Sequence, residues 1–236
     1  EGVEVRGLAA GCAEPEILGS FPGVHGADSA AWSADGRWLG LLGARGLHVV
    51  SANNGYETCC ELPSLAGEEG SYLRGFHFSP LGTVAVCYEL PSANEDGEAI
   101  PNLGVWRVGP APSPVTALEC ASWPAMKWTE DESWCCLNMR DELQVFAGID
   151  GLERGVPDGS IACEGGAVSF EISRRCPSRG VDQDEEQCAG QAAPAYIALF
   201  VPRRRGGGDS ARCDIYAVTD LSAPCASQEV SQADTA

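Results

Sequence analysis

Apolar positions in this chain come in short alternating runs, not long stripes. The segment "AAWSADGRWLGLLGARGLHVVSANNG" sets the unit: an aromatic, a polar turn, an apolar run, a second turn and another apolar run. The unit recurs in "FHFSPLGTVAVCYEL", which closes at "LGVWRVG", and in "MKWTEDESWCCLNMRDELQVFAG". A fainter copy begins at "AVSFEIS", continues through "AYIALFV" and ends in "CDIYAVTD". Trp32, Phe78, Trp128 and Phe170 stand before the first turns, separated by 46, 50 and 42 residues. Asp-Gly and Leu-Gly close the turns because Gly adopts positive φ without steric penalty. β-branched and aromatic residues alternating with small ones read as strands, and no amphipathic helical period is found.

Strand units repeating every 40 to 45 residues or so are the mark of propeller blades. The expected fold is all-β, a WD40-like β-propeller with four to five blades present and therefore incomplete, a fragment of a longer propeller. Units are expected near 25–62, 73–120, 124–163 and 167–220, with 1–24 a strand of a closing blade. The Trp-Asp dipeptide of common blades is replaced at strand ends by Val50-Ser51, Trp106-Arg107, Phe146-Ala147 and Tyr216-Ala217. The apolar half of the dipeptide remains to pack between blades, while the hydrogen-bonding Asp does not. One unit carries a polar interruption, "PSANEDGEAI", before Pro101-Asn102-Leu103. It is expected between the inner strands of its blade, where Pro101, lacking an N–H, suits the start of a strand.

Composition narrows the function. Fifteen Lys and Arg against 34 Asp and Glu give a formal net charge of -19 over 236 residues. The chain as a whole repels polyanions, so nucleic acid would need a local basic patch, whereas a basic protein surface is easily accommodated. No apolar run is long enough to span a bilayer. The twelve cysteines lack a signal peptide and glycosylation sites beside them, and a domain of this size needs no disulfide staples. The reading is a reducing, cytoplasmic setting.

Chemistry-bearing motifs are sparse. His25, His48 and His77 have no nucleophile–base arrangement around them, and neither a Gly-x-Ser-x-Gly elbow nor a phosphate-binding loop is present. Neither an enzyme nor a cofactor is expected. Cys59-Cys60 and Cys135-Cys136 are adjacent pairs whose side chains point to opposite faces of a strand, so they read as buried apolar residues and not as metal ligands. "GVDQDEEQCAG" lacks the ligand order of a calcium loop and reads as a solvated acidic loop. The remaining candidate is "VPRRRGGG": Arg203, Arg204 and Arg205 on a hairpin loop, three guanidiniums able to meet RNA phosphates or an acidic partner.

Five ordered segments resemble the eukaryotic translation initiation factor 2A family: "VEVRGLAAG", "WSADGRWLGLLGARGLHVVSANNG", "FSPLGTVAVCYELPSANEDGEAIPNLGVWRVG", "KWTEDESWCCLNMRDELQVF" and "YIALFVPRRRGGGDSARCDIYAV". The third, with its inserted loop and Ile-Pro-Asn-Leu exit, is the most specific. The resemblance implies a propeller with more blades than this chain supplies and a basic tail beyond it. It implies a translation initiation factor that docks on the small ribosomal subunit and its proteins and delivers initiator methionyl-tRNA in alternative initiation, by binding and not catalysis. Contacts to initiator tRNA and mRNA are expected through parts beyond this chain, and no membrane or DNA partner is expected. The alternative is a propeller scaffold for protein–protein interaction, such as one like initiation factor 3 subunit b.

Overall fold

The computed structural model describes residues 2–7, 15–21, 29–43, 46–65, 73–94, 96–120, 123–163, 169–173, 195–201 and 210–230. These residues form an all-β, propeller-like fold divided into two compact units, Glu1–Trp123 and Pro124–Ala236.

In the first unit, β1 (Val3–Gly7) and β2 (Glu16–Phe21) pair as an antiparallel hairpin. A four-stranded meander follows: β3 (Ser29–Trp32), β4 (Trp38–Gly43), β5 (Gly46–Ser51) and β6 (Glu57–Pro63). The second meander has β7 (Leu73–Phe78) and β8 (Val84–Glu89), then the small hairpin β9 (Ser92–Ala93) and β10 (Ala99–Ile100). It is completed by β11 (Leu103–Arg107) and β12 (Ser113–Leu118), in the order β7, β8, β11, β12. The polar interruption therefore lies between the two inner strands of its sheet, as a hairpin that, among the described residues, pairs only with itself. Apolar residues of the two meanders share one core, with Leu47, Val49 and Leu62 against Phe76, Ala85 and Cys87. The opposite side of the first meander, through Leu39, Leu41 and Val50, is covered by Phe21, Val3 and Val5 of the β1–β2 hairpin. Fully burying such side chains stabilises by about 1.5–3 kcal/mol each, which is what commits these strands to their register.

The second unit repeats the plan. One meander is β13 (Met126–Trp128), β14 (Cys135–Asn138), β15 (Glu142–Phe146) and β16 (Gly159–Ala162). The other is β17 (Ser169–Ile172), β18 (Tyr196–Val201), β19 (Arg212–Ala217) and β20 (Ala226–Glu229). Leu143, Val145 and Ile161 meet Phe170, Ile172, Ile197 and Leu199 in a single core.

A hydroxyl braces the first turn of every meander. The N–H of Ser33 donates to the Trp38 carbonyl at 2.9 Å, and the Trp38 N–H donates to the Ser33 hydroxyl at 2.9 Å. Ser79 makes the same pair of bonds with Val84, and Thr129 with Trp134, all at 3.0 Å. Ser173 does so with Tyr196, at 2.7 and 2.8 Å, although the intervening segment is far longer. A side chain bonding its own turn replaces the ladder bond that the strand end would otherwise lack. The brace corrects the fourth anchor. Ile172 precedes the braced Ser173 and pairs with Ile197, as Trp32 pairs with Leu39, Phe78 with Ala85 and Trp128 with Cys135. The equivalent of the three aromatics is therefore Ile172, two residues beyond Phe170, and the last interval grows from 42 to 44 residues.

A helix absent from the sequence pattern is also present. Helix α1 (Gly148–Arg154) follows β15 and buries Leu152. At seven residues it is under two turns and carries glycines at 148 and 151, so no helical period is visible in the sequence. Asp158 closes it from outside, accepting bonds from the Ala147 N–H at 2.7 Å and from the Arg154 guanidinium at 2.9 Å. Gly155, with φ 68°, ends it in the left-handed conformation.

Candidate functional site

The region of greatest chemical interest is where the β9–β10 hairpin leaves the second meander. Its base is a buried polar clamp. Asn102 is 2% exposed. Its side-chain amide donates to the carbonyls of Glu89 at 3.3 Å and Cys120 at 3.2 Å. Its side-chain oxygen accepts from the Cys120 N–H at 2.8 Å. The Asn102 backbone adds bonds to Glu89 and Leu118. One residue thus ties the end of β8, the start of β11 and the segment after β12. Glu89, 3% exposed, accepts through its carboxylate from the Ser64 hydroxyl at 2.7 Å and the Leu65 N–H at 2.5 Å. A buried carboxylate needs such donors, since burying a charge is costly unless hydrogen-bonded. Pro101 stands outside this network at the point where β11 is about to start, so its missing N–H deprives no ladder bond.

Beyond the clamp the hairpin is exposed and polar. Asn94 organises its tip, with its N–H bonded to the Glu98 carbonyl and its side-chain oxygen accepting from the Glu98 N–H at 2.8 Å. Gly97, at φ 81°, makes the reversal. Leu90 at the base is 56% exposed. Because β9 and β10 pair with no other strand among the described residues, replacing residues 92–99 with a Gly-containing short turn should leave the fold intact. The expected thermal midpoint shift is under roughly 3 °C, corresponding to about 1 kcal/mol or less for a chain of this size. Differential scanning calorimetry checks this.

An aromatic slab lies on the same meander. Tyr88 stacks on Trp123 with centroids 5.3 Å apart, and His77 lies 5.1 Å from the same indole. A Cβ on Gly75 would come within 2.7 Å of the indole nitrogen, so glycine makes room for the slab. The His77 Nε2 is enclosed and meets no hydrogen-bond partner among the described residues. Burial pulls its pKa down from the ordinary 6.5 to about 4. The folded protein keeps His77 neutral, while the unfolded chain takes up a proton below pH 6.5. Stability is therefore full above pH 6.5 and falls as the pH drops toward 4, by roughly 3 kcal/mol in total. A His77→Phe variant should flatten that part of a pH series of urea unfolding curves, and an unchanged slope would contradict the assignment.

Arg203, Arg204 and Arg205 lie outside the described residues, between β18 and β19, whose ends Val201 and Arg212 are register partners. "GVDQDEEQCAG" and His25 lie outside them as well. His48 lies in β5 with its Nδ1 3.1 Å from a Glu61 oxygen, and His77 lies in the slab, so the structure does not bring the two together in a catalytic arrangement. Cys135 and Cys136 follow the regular ladder opposite Phe146 and Val145, and both are fully buried. At Cys59 and Cys60 the regular ladder is interrupted. A bulge in β6 makes Cys59 an extra residue between the pairs Val50–Thr58 and Val49–Cys60. The nine described cysteines are all free thiols. Among the described residues, no helix is long and apolar enough to cross a membrane.

Sequence reasoning placed the loop but missed the Asn102 clamp, the hydroxyl braces and the bulge. Asn102 could be read only as a turn residue, because its partners at 89 and 120 are distant in the chain. The braces had a signal, the Ser or Thr after each anchor, that aromatic matching passed over in the fourth unit.

Comparison with known proteins bears on the fold. Neither a family model nor a curated protein sequence matches the chain. Among solved structures, a crystal structure of a eukaryotic initiation factor superposes with a TM-score of 0.67 at 18% identity. The match covers 100% of this chain and 54% of that one, so the chain spans about half the length of that structure. A Bacteroides uniformis protein provisionally named a 6-phosphogluconolactonase gives a TM-score of 0.44 at 13% identity, over 70% of this chain and 50% of that one.

Proposed function

We propose that this chain is part of a translation initiation factor that docks on the small ribosomal subunit and supports initiator methionyl-tRNA delivery in alternative initiation, acting by binding and not by chemistry. The observation that carries the reading is the likeness of fold to a eukaryotic initiation factor along the whole chain. The five ordered segments that resemble the initiation factor 2A family support it independently. Within this reading the four meanders are consecutive blades, in units near 25–62, 73–120, 124–163 and 167–220, and the setting is cytoplasmic. Partners are the small subunit and its proteins; tRNA and mRNA engage through parts beyond this chain.

Charge decides how docking must work. A chain of net charge -19 is held off ribosomal RNA unless it presents a local cationic point or meets a basic protein. Arg203, Arg204 and Arg205 are that cationic point. Changing all three to Ala should weaken co-sedimentation with small subunits and reduce the steepness with which binding falls as salt rises. Identical sedimentation of the triple variant across the salt series removes the arginines from the docking surface.

A further inference from the structure

We propose that Cys59 and Cys60 form a dithiol site that captures a trivalent arsenical, both sulfurs bonding one arsenic atom. Adjacent residues of an unbroken strand point to opposite faces, and a regular ladder would keep these sulfurs apart. The bulge changes this. Val49 pairs with Cys60 and Val50 with Thr58, so Cys59 is an extra residue with no partner of its own on β5. As consecutive residues at an irregular point of the strand, the two sulfurs are not held to opposite faces by the ladder.

Access and environment fit a soft ligand. Cys59 is half-buried and reachable from solvent, while Cys60 is 8% exposed and packs with Leu47, Val49 and Leu62. The apolar packing around Cys60 suits an arsenical carrying an organic group. Burial pushes the Cys60 thiol up to about 11 and raises Cys59. The thiolate is the reacting form, so each thiol gives up its proton as its As–S bond forms. Capture needs no oxidant. An organic arsenous acid, RAs(OH)2, loses two As–O bonds and gains two As–S bonds. The two thiol protons leave with the hydroxyls as two waters, and arsenic stays trivalent throughout. Cys135 and Cys136 provide the internal contrast: equally adjacent, but on an unbulged ladder and fully buried.

The test exposes the whole native chain to phenylarsine oxide and maps the adduct by proteolysis and mass spectrometry. One arsenic is expected across the Cys59–Cys60 peptide, blocking maleimide labelling of Cys59 and released by 2,3-dimercaptopropanol. Cys59→Ser, at a position outside the ladder register, should lose the adduct while its melting curve stays cooperative. Cys225→Ser should keep it. Absence of the adduct from the wild-type peptide, its mapping to other cysteines alone, or its persistence in Cys59→Ser overturns the proposal. The wild-type mapping decides the matter even if the variant folds poorly.

Discussion

Replacing Asn102 with Leu should lower the unfolding free energy by about 3 kcal/mol or more, the largest effect expected of any single polar residue here. Leu matches Asn in length but has no polar atoms. The substitution strips a donor from the buried carbonyls of Glu89 and Cys120 and an acceptor from the Cys120 N–H. Each buried group that loses its partner costs about 1–3 kcal/mol, and the added apolar contact recovers only part of that. Asn102→Asp tests the direction of the bonds. Its second oxygen would face two carbonyls where the amide donated, so it should be at least as damaging as Leu at neutral pH. Urea unfolding at constant m-value measures both. A loss below about 1 kcal/mol for Asn102→Leu would show that the clamp is peripheral to the meander.

The second large effect is steric. Gly40 lies in the middle of β4, and a Cβ there would come within 2.3 Å of the Phe76 ring. The ring is 8% exposed and packed in the core shared by the two meanders of the first unit, so it has little room to yield. Gly40→Ala should cost about 2–3 kcal/mol by overpacking, a midpoint shift of roughly 5–10 °C. Gly36→Ala is the control for backbone strain without crowding. Gly36 has φ 72° and open space around its Cβ position, so about 1 kcal/mol is expected. If both alanines cost the same, contact with Phe76 is not what selects glycine at position 40.

These cases show what a one-dimensional pattern carries. Alternation and turn dipeptides record local constraints: Gly36 and Gly82 hold positive φ where the turns need it. The all-β, propeller-like fold and the place of the loop between β8 and β11 were legible for that reason. Long-range pairing leaves a weaker trace. Asn102 gains its meaning from Glu89 and Cys120, and Gly40 from Phe76, so neither stood out in its own window. Ile172 was masked by Phe170, because an aromatic residue two positions earlier satisfied the same motif. The bulge at Cys59 depends on register with β5, which adjacency of two cysteines cannot report. Glu132 shows the converse limit. It holds φ 57° at the turn position where Gly36 and Gly82 stand, so the third turn keeps its geometry after its glycine signal is lost.

The functional reading turns on one physical interaction. Purified chain should be centrifuged with isolated small and large ribosomal subunits at increasing protein concentration and fixed moderate salt. Saturable, near-stoichiometric pelleting with small subunits and none with large ones is the predicted result. A chain that stays in the supernatant with both, while remaining folded by circular dichroism, contradicts ribosome docking and leaves the scaffold alternative standing.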